Sequence, residues 1–213
     1  MSYTLGAVTT RVQQRVRDTG FSSTEIHSYI NDTQRDVFNE YRLPFMEASQ
    51  AYTVASGVAD ITNGSGLPTN YVQAIDLLNS SGELIPNVDV RELDQNLTSD
   101  TDSPVCWYYY AETINVHPTP TDDYDVTLRY YKRPTELSGD SDVPEVPSEF
   151  EEILVVGAAY RVMQVKDNYD QAGILQNKYD ELLDKLVQRY SQAQVGKPTV
   201  MRINRYATSK KSF

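Results

Sequence analysis

Residues 124–134, YDVTLRYYKRP, place Tyr124, Val126, Leu128 and Tyr130 in alternation with Asp125, Thr127, Arg129 and Tyr131. Successive side chains of a strand point to opposite faces of the sheet, so this period of two predicts a half-buried β-strand. Just before it, Val105 to Tyr110 and Thr113 to Val116 read as a hairpin. Turn chemistry at Ser56-Gly57, Asn63-Gly64-Ser65-Gly66 and Ser80-Ser81-Gly82 punctuates the earlier part, so strand-like sequence extends from about Ser49 to Pro134. One short helix interrupts it, from Val88 to Leu97, where Asp89 and Glu92 stand at capping-box spacing ahead of a loop rich in Asp, Ser and Thr.

Outside this region the period becomes helical. Leu5, Val8, Val12 and Val16 share one face of a first helix, with Arg11, Arg15 and Arg17 mostly off that stripe. A second helix opens with Ser22 and Glu25 as a capping box and Phe21 and Ile26 as a hydrophobic staple. Its face runs through Tyr29, Ile30, Thr33, Val37 and Tyr41, and the expectation is that it stops at Pro44. A third is expected from Pro147, with Ser148 and Glu151 at capping-box spacing and a face of Phe150, Ile153, Leu154, Gly157, Ala158 and Arg161. After a break at Asp167 to Asp170, Leu175, Tyr179, Leu182, Leu183, Leu186 and Tyr190 mark a fourth. The predicted fold is α+β: a four-helix body from 1–46 and 147–194, an antiparallel β insert at 47–146, and an extended arm at 195–213.

The chain has 213 residues, a net charge of −11, and no apolar run of the ~20 residues needed to span a bilayer. Its N-terminus lacks the features of a secretory signal, which implies synthesis in the cytoplasm. One cysteine, Cys106, excludes an intramolecular disulfide and reads as a packed strand position. The acidity argues against wrapping nucleic acid, which needs clustered Lys and Arg. Sixteen tyrosines against five phenylalanines and one tryptophan fit protein interfaces, where an apolar ring with a polar end is useful.

Catalytic chemistry is hard to place. His27 and His117 have no second ligand at metal spacing. The glycine-rich stretch at 63–66 lacks the Lys and helix of a phosphate loop. Acids at Asp122, Asp123 and Asp125, and at Asp140, Asp142 and Glu145, do not follow calcium-loop spacing and read as solvated loops. Glu149, Glu151 and Glu152 crowd the positive end of a helix, where the dipole accounts for them. No catalytic residue, metal site or cofactor is assigned.

The C-terminus differs from the rest. From Ser191 to Phe213 there are five cations (Lys197, Arg202, Arg205, Lys210, Lys211) and no acid, leaving 14 cations against 30 acids in residues 1–190. Gly196 and Pro198 end the preceding helix. Ordering about fifteen such residues costs ~1–2 kcal/mol each, while burying Met201, Ile203 and Tyr206 returns about 1.5–3 kcal/mol each. The arm therefore needs an added-strand or multivalent partner to become ordered. A solvated tail is the alternative on composition alone.

Four stretches, FNEYRLP (38–44), INVHPTP (114–120), YDVTLRYYKRP (124–134) leading to Leu137, and PEVPSEFEEILVVGA (144–158), in this order and spacing, resemble the head-to-tail adaptor (connector) proteins of tailed bacteriophages. The resemblance covers nearly the whole chain. It implies a structural, non-enzymatic virion protein of the neck: a homo-oligomeric, dodecameric ring beneath the portal protein that continues the DNA channel toward a tail or nozzle protein. The DNA passes through without sequence-specific binding, and no membrane is involved. On this resemblance Val200, Met201, Arg202, Ile203, Arg205 and Tyr206 contact the portal, while the helical faces from Ile26 to Tyr41 and from Leu175 to Tyr190 serve packing. A rival reading makes the β insert a carbohydrate-binding or peptidoglycan-degrading module, with tyrosines stacking on sugars.

Overall fold

The computed structural model describes residues 3–17, 20–91, 93 and 103–193. Helix α1 (Leu5–Val16) is capped by the Thr4 hydroxyl, which accepts from the Ala7 N–H at 3.4 Å, and it buries Leu5, Val8, Val12 and Val16 as expected. In α2 (Ser23–Glu40) the capping box forms in both directions: the Glu25 N–H donates to Ser22 Oγ at 3.3 Å and the Ser22 N–H donates to Glu25 at 2.8 Å. This helix ends at Glu40, not at Pro44. The Arg42 guanidinium donates to the Phe38 carbonyl at 2.9 Å and to the Asn39 carbonyl at 3.3 Å, closing the helix end early. Pro44 instead opens a 3₁₀ turn, Pro44–Met46.

Six strands follow: β1 (Glu47–Val54), β2 (Tyr71–Asn79), β3 (Leu84–Ile85), β4 (Cys106–Tyr110), β5 (Thr113–His117) and β6 (Tyr124–Lys132). Four form an antiparallel sheet of order β1-β6-β2-β3, and β4-β5 is the separate hairpin. The alternation expected for β6 is present: Val126, Leu128 and Tyr130 are buried, and Asp125 and Arg129 are exposed. Those three side chains join Val54, Ile61, Leu77, Ile85, Trp107, Ile114 and Val116 in one core, each burial contributing about 1.5–3 kcal/mol. Cys106 is a buried strand residue, as read. The hairpin is held by the 59–61 and 86–88 segments, through Ile61 N–H to Ile114 carbonyl at 3.0 Å and Trp107 N–H to Pro86 carbonyl at 2.9 Å. Gly57 and Gly82 take positive φ at two of the expected turns, a region other residues rarely adopt. Of the expected helix at Val88 to Leu97, Val90, Arg91 and Leu93 are helical and Asp89 accepts from the Arg91 N–H at 2.8 Å. Glu92 and residues 94–97 lie outside the described residues.

The chain returns through a second 3₁₀ turn, Ser148–Phe150, to α3 (Glu151–Val165) and α4 (Tyr169–Ala193). Here two expectations fail. The Ser148–Glu151 capping box does not form, because Ser148 lies inside the 3₁₀ turn and the Glu151 carboxylate is drawn to Arg11 at 2.8 Å. Nor does α3 bury a single face: Val155, Val156, Ala159, Val162 and Met163 are buried along with Ile153, Leu154, Gly157 and Ala158. A helix apolar nearly all round occupies the centre, and α1, α2 and α4 all pack on α3. Side chains from all four helices form one cluster with Met46, Leu137 and Val146, and Tyr131 packs against it from the opposite face of β6 to Tyr130.

Candidate functional site

The end of α4 carries the C-terminal segment, and four aromatic rings hold it. Tyr190 meets Phe45 edge-on at 5.2 Å between centroids and Phe150 at 6.3 Å, while Phe45 meets Phe38 at 5.7 Å. Such pairs contribute ~0.5–1.5 kcal/mol each beyond their area. Phe45 and Phe150 lie in the two 3₁₀ turns through which the chain leaves and re-enters the helical body. The end of α4 is thus fastened against the helical core at these two turns. Composition drew attention to tyrosines in general; the pairing of Phe45 with Tyr190, 145 positions apart, had no signal in the sequence.

Acidic side chains lie beside Tyr41, and Arg189 lies beside Tyr190. Burial raises the Tyr41 hydroxyl pKa, and Glu40, Asp184 and Asp180 raise it further. Burial likewise raises that of Tyr190, with Glu149 adding to it and Arg189 opposing it. The residues expected to contact a portal, Val200, Met201, Arg202, Ile203, Arg205 and Tyr206, all lie outside the described residues. Of the helical faces assigned to packing, Ile26, Ile30, Thr33, Val37, Tyr179, Leu183 and Leu186 are buried within this chain.

The carboxylates that might have served catalysis are engaged in structure. Glu152 binds Arg11 at 2.9 Å, Arg15 at 2.7 Å and Lys178 at 2.9 Å, tying α1 and α4 to the start of α3. Burial pushes its pKa up, but the Lys178 hydrogen bond and the Arg15 and Lys178 charges prevail and hold it below the ordinary value. Asp123 accepts from the Ser56 N–H at 3.1 Å and Asp125 from the Thr53 hydroxyl at 2.7 Å. Asp142 accepts from the Ser138 and Gly139 N–H groups, both at 2.8 Å, shaping the loop whose Asp140 and Asp142 carbonyls cap α1. These acids build loops more than they sit solvated in them. His27 Nε2 stands 3.4 Å from Asp140, and among the described residues no three His, Cys, Asp or Glu side chains converge as a metal site. No helix among them is long and apolar enough to cross a membrane.

Glu145 gives a pH test. Its carboxylate pairs with Lys132 and accepts from the Thr135 N–H at 2.8 Å. Burial raises its pKa, but Lys132 and Thr135 outweigh burial and the net shift is downward. A depressed folded-state pKa contributes stability above the unfolded value of ~4.3 and loses it as pH falls through the folded value. Glu145→Gln is therefore expected to destabilise at pH 7 and to match the wild type more closely near pH 3 in urea titrations. A constant difference across that range is the contrary result.

Two concavities among the described residues could hold a ligand. A cleft of about 370 Å³ is lined by Asn31, Gln34, Arg35, Arg133, Thr135 and Glu136, but the Asn31 and Gln34 amides are spent on backbone groups of Thr135, Leu137 and Glu145. A groove of about 300 Å³ lies between β2 and the hairpin, with Tyr71, Trp107 and Tyr109 in its walls. Stacking on a sugar needs an exposed ring face; Trp107 is 6% exposed and belongs to the core, which leaves the half-buried Tyr71 and the exposed Tyr109.

A family model described as SU10 adaptor protein matches residues 3–202. The match runs through Val200, Met201 and Arg202 and stops before Ile203, Arg205 and Tyr206. A search of curated proteins finds no match.

Proposed function

The chain belongs to the SU10 adaptor protein family; it is a bacteriophage structural adaptor, and we propose that it forms the ring joining the capsid portal to the tail. In this reading the helical body (1–46 with 147–194) assembles the ring, the 47–146 region faces the next tail or nozzle protein, and the 195–213 arm grips the portal. The ring is a dodecamer seated in the neck of the virion, and DNA crosses its channel without sequence-specific contacts. The observation that carries the portal assignment is the charge division: an acid-free segment of five cations follows a body of 14 cations and 30 acids. Each arm binds weakly, and a ring of arms binds tightly because each docked arm raises the effective concentration of the next. An acidic lumen repels phosphate and favours passage.

The test is co-assembly of the purified chain with its cognate portal ring, followed by sedimentation and negative-stain images. The full chain is expected to form a ring on the portal, and a chain lacking residues 197–213 to stay folded yet fail to bind. Binding by both sinks the arm assignment; binding by neither sinks the portal assignment. Charge reversal at Arg202 and Arg205 is expected to weaken docking more than reversal at Lys210 and Lys211, and equal effects would mean generic electrostatics.

A further inference from the structure

Among the described residues strand β1 is an edge of its sheet. Its inner side pairs with β6 residue for residue, from Glu47 opposite Tyr131 to Val54 opposite Tyr124, with no bulge. No described strand lies on its outer side. Asn63 shows which groups face outward: its side chain accepts from the Ala55 N–H at 3.0 Å and donates to the Thr53 carbonyl at 2.7 Å. Strand parity turns the N–H and C=O of Ser49 and Ala51 the same way. Among the described residues only the Ala51 carbonyl is met there, by the Gln50 amide at 3.1 Å. Soluble proteins protect such edges with Lys, Pro, bulges or short strands. The eight residues EASQAYTV have none of these, and their one charge is Glu47.

A strand able to fill this edge begins next to it. Tyr190 packs on Phe45, two residues ahead of β1, and the description ends three residues later at Ala193. Twenty residues follow, 194–213. The first five can span up to ~17 Å when extended. Asn63 already takes the Thr53 carbonyl and the Ala55 N–H, so the open part of the edge runs from Glu47 to Ala51. Residues 199–206, TVMRINRY, are long enough to cover it and are acid-free. The acids Glu47, Glu40, Asp180 and Asp184 lie near it along with the cations Arg42, Arg129 and Arg189.

We propose that residues 199–206 add to the outer edge of β1 of their own chain as a fifth strand of its sheet. The edge supplies the backbone hydrogen bonds that the arm's own apolar residues cannot replace, and tethering keeps the effective concentration high. Before assembly the arm then shields the edge from pairing with other copies, and a partner that binds the arm frees β1. The inference concerns the isolated chain and stands or falls without any portal.

Amide hydrogen exchange on the full chain and on a chain ending at Pro198 tests it. Ser49 and Ala51 are expected to exchange at least about tenfold more slowly in the full chain, reporting bonded amides. Gln50 and Tyr52, which parity directs at β6, are expected to exchange alike in both chains, so an intact sheet is checked in the same measurement. Equal exchange of Ser49 and Ala51 in the two chains overturns the proposal. Protection that vanishes on about tenfold dilution also overturns it, because the edge is then filled by another copy. A second variant, Ala51→Pro, removes an outward N–H that β6 does not use; tryptic cleavage after Arg202 and Arg205 is expected to quicken several-fold, and unchanged cleavage contradicts the assignment.

Discussion

Gly157→Leu is expected to leave the helical body unfolded or at least ~3 kcal/mol less stable in urea titrations. Gly157 lies on α3 where that helix crosses α2 and α4. A methyl carbon there overlaps the γ-methyl of Thr33 and comes within 3.0 Å of the Thr33 hydroxyl and the Tyr179 ring. Thr33 has no room to yield. Thr33 is 0% exposed, its hydroxyl donates to the Tyr29 carbonyl at 2.7 Å and accepts from Arg161 at 2.8 Å, and Arg161 also donates to the Gly157 carbonyl at 2.8 Å and pairs with Asp36. Gly157→Ala separates the terms. It gains ~1 kcal/mol of helix propensity and incurs overpacking of ~1–3 kcal/mol, for a net loss of about 0–2 kcal/mol. Thr33→Ser keeps the hydroxyl and deletes the offending methyl, so the Gly157→Ala, Thr33→Ser pair is expected to be less destabilised than the two single losses added together. Strict additivity would falsify the steric account.

Asn31→Leu is the second large loss, at about 2–6 kcal/mol. The Asn31 amide donates to the Leu137 carbonyl at 2.8 Å and accepts from the Leu137 N–H at 2.9 Å, completing both backbone groups of a residue that is 4% exposed. Leucine has the same branching as asparagine but leaves a buried donor and a buried acceptor unmet, each costing ~1–3 kcal/mol. Gln34, one turn on, makes the equivalent pair with the Thr135 carbonyl at 3.2 Å and the Glu145 N–H at 2.9 Å. Together they stitch the segment after β6 to α2, so faster amide exchange at Leu137 is expected to accompany the loss of stability. A change below about 0.5 kcal/mol would mean that water replaces the clamp without penalty.

Much of the fold was legible. The β6 alternation, the Ser22–Glu25 capping box and the apolar faces of α1, α2 and α4 are written in residues two to four positions apart, and local backbone geometry turns that spacing directly into a face or a cap. The β4-β5 hairpin and its neighbouring turns were legible for the same reason. The Ser148–Glu151 pair had the same spacing and misled, because Arg11, 140 positions away, competes for the carboxylate. The Arg11 and Arg15 pairs with Glu152 were missed because charges off the apolar stripe look solvated until another helix is laid beside them. Asn31 and Gln34 looked like ordinary polar helix residues; only the segment at 135–145 makes them clamps.

What the sequence determined by itself is the kind and order of elements and the polarity of the ends: helices, then strands, then helices, with an acidic body and a basic C-terminus. These follow from short-range periodicity and from charge, which need no knowledge of neighbours in space. Tertiary structure alone decided that β6 sits between β1 and β2, that α3 is buried nearly all round, that Gly157 is a close contact with Thr33 and Tyr179, and that β1 is the outermost described strand of its sheet, near the end of α4. Each of these depends on which distant surfaces meet, and close packing fixes that choice only when all the elements are assembled.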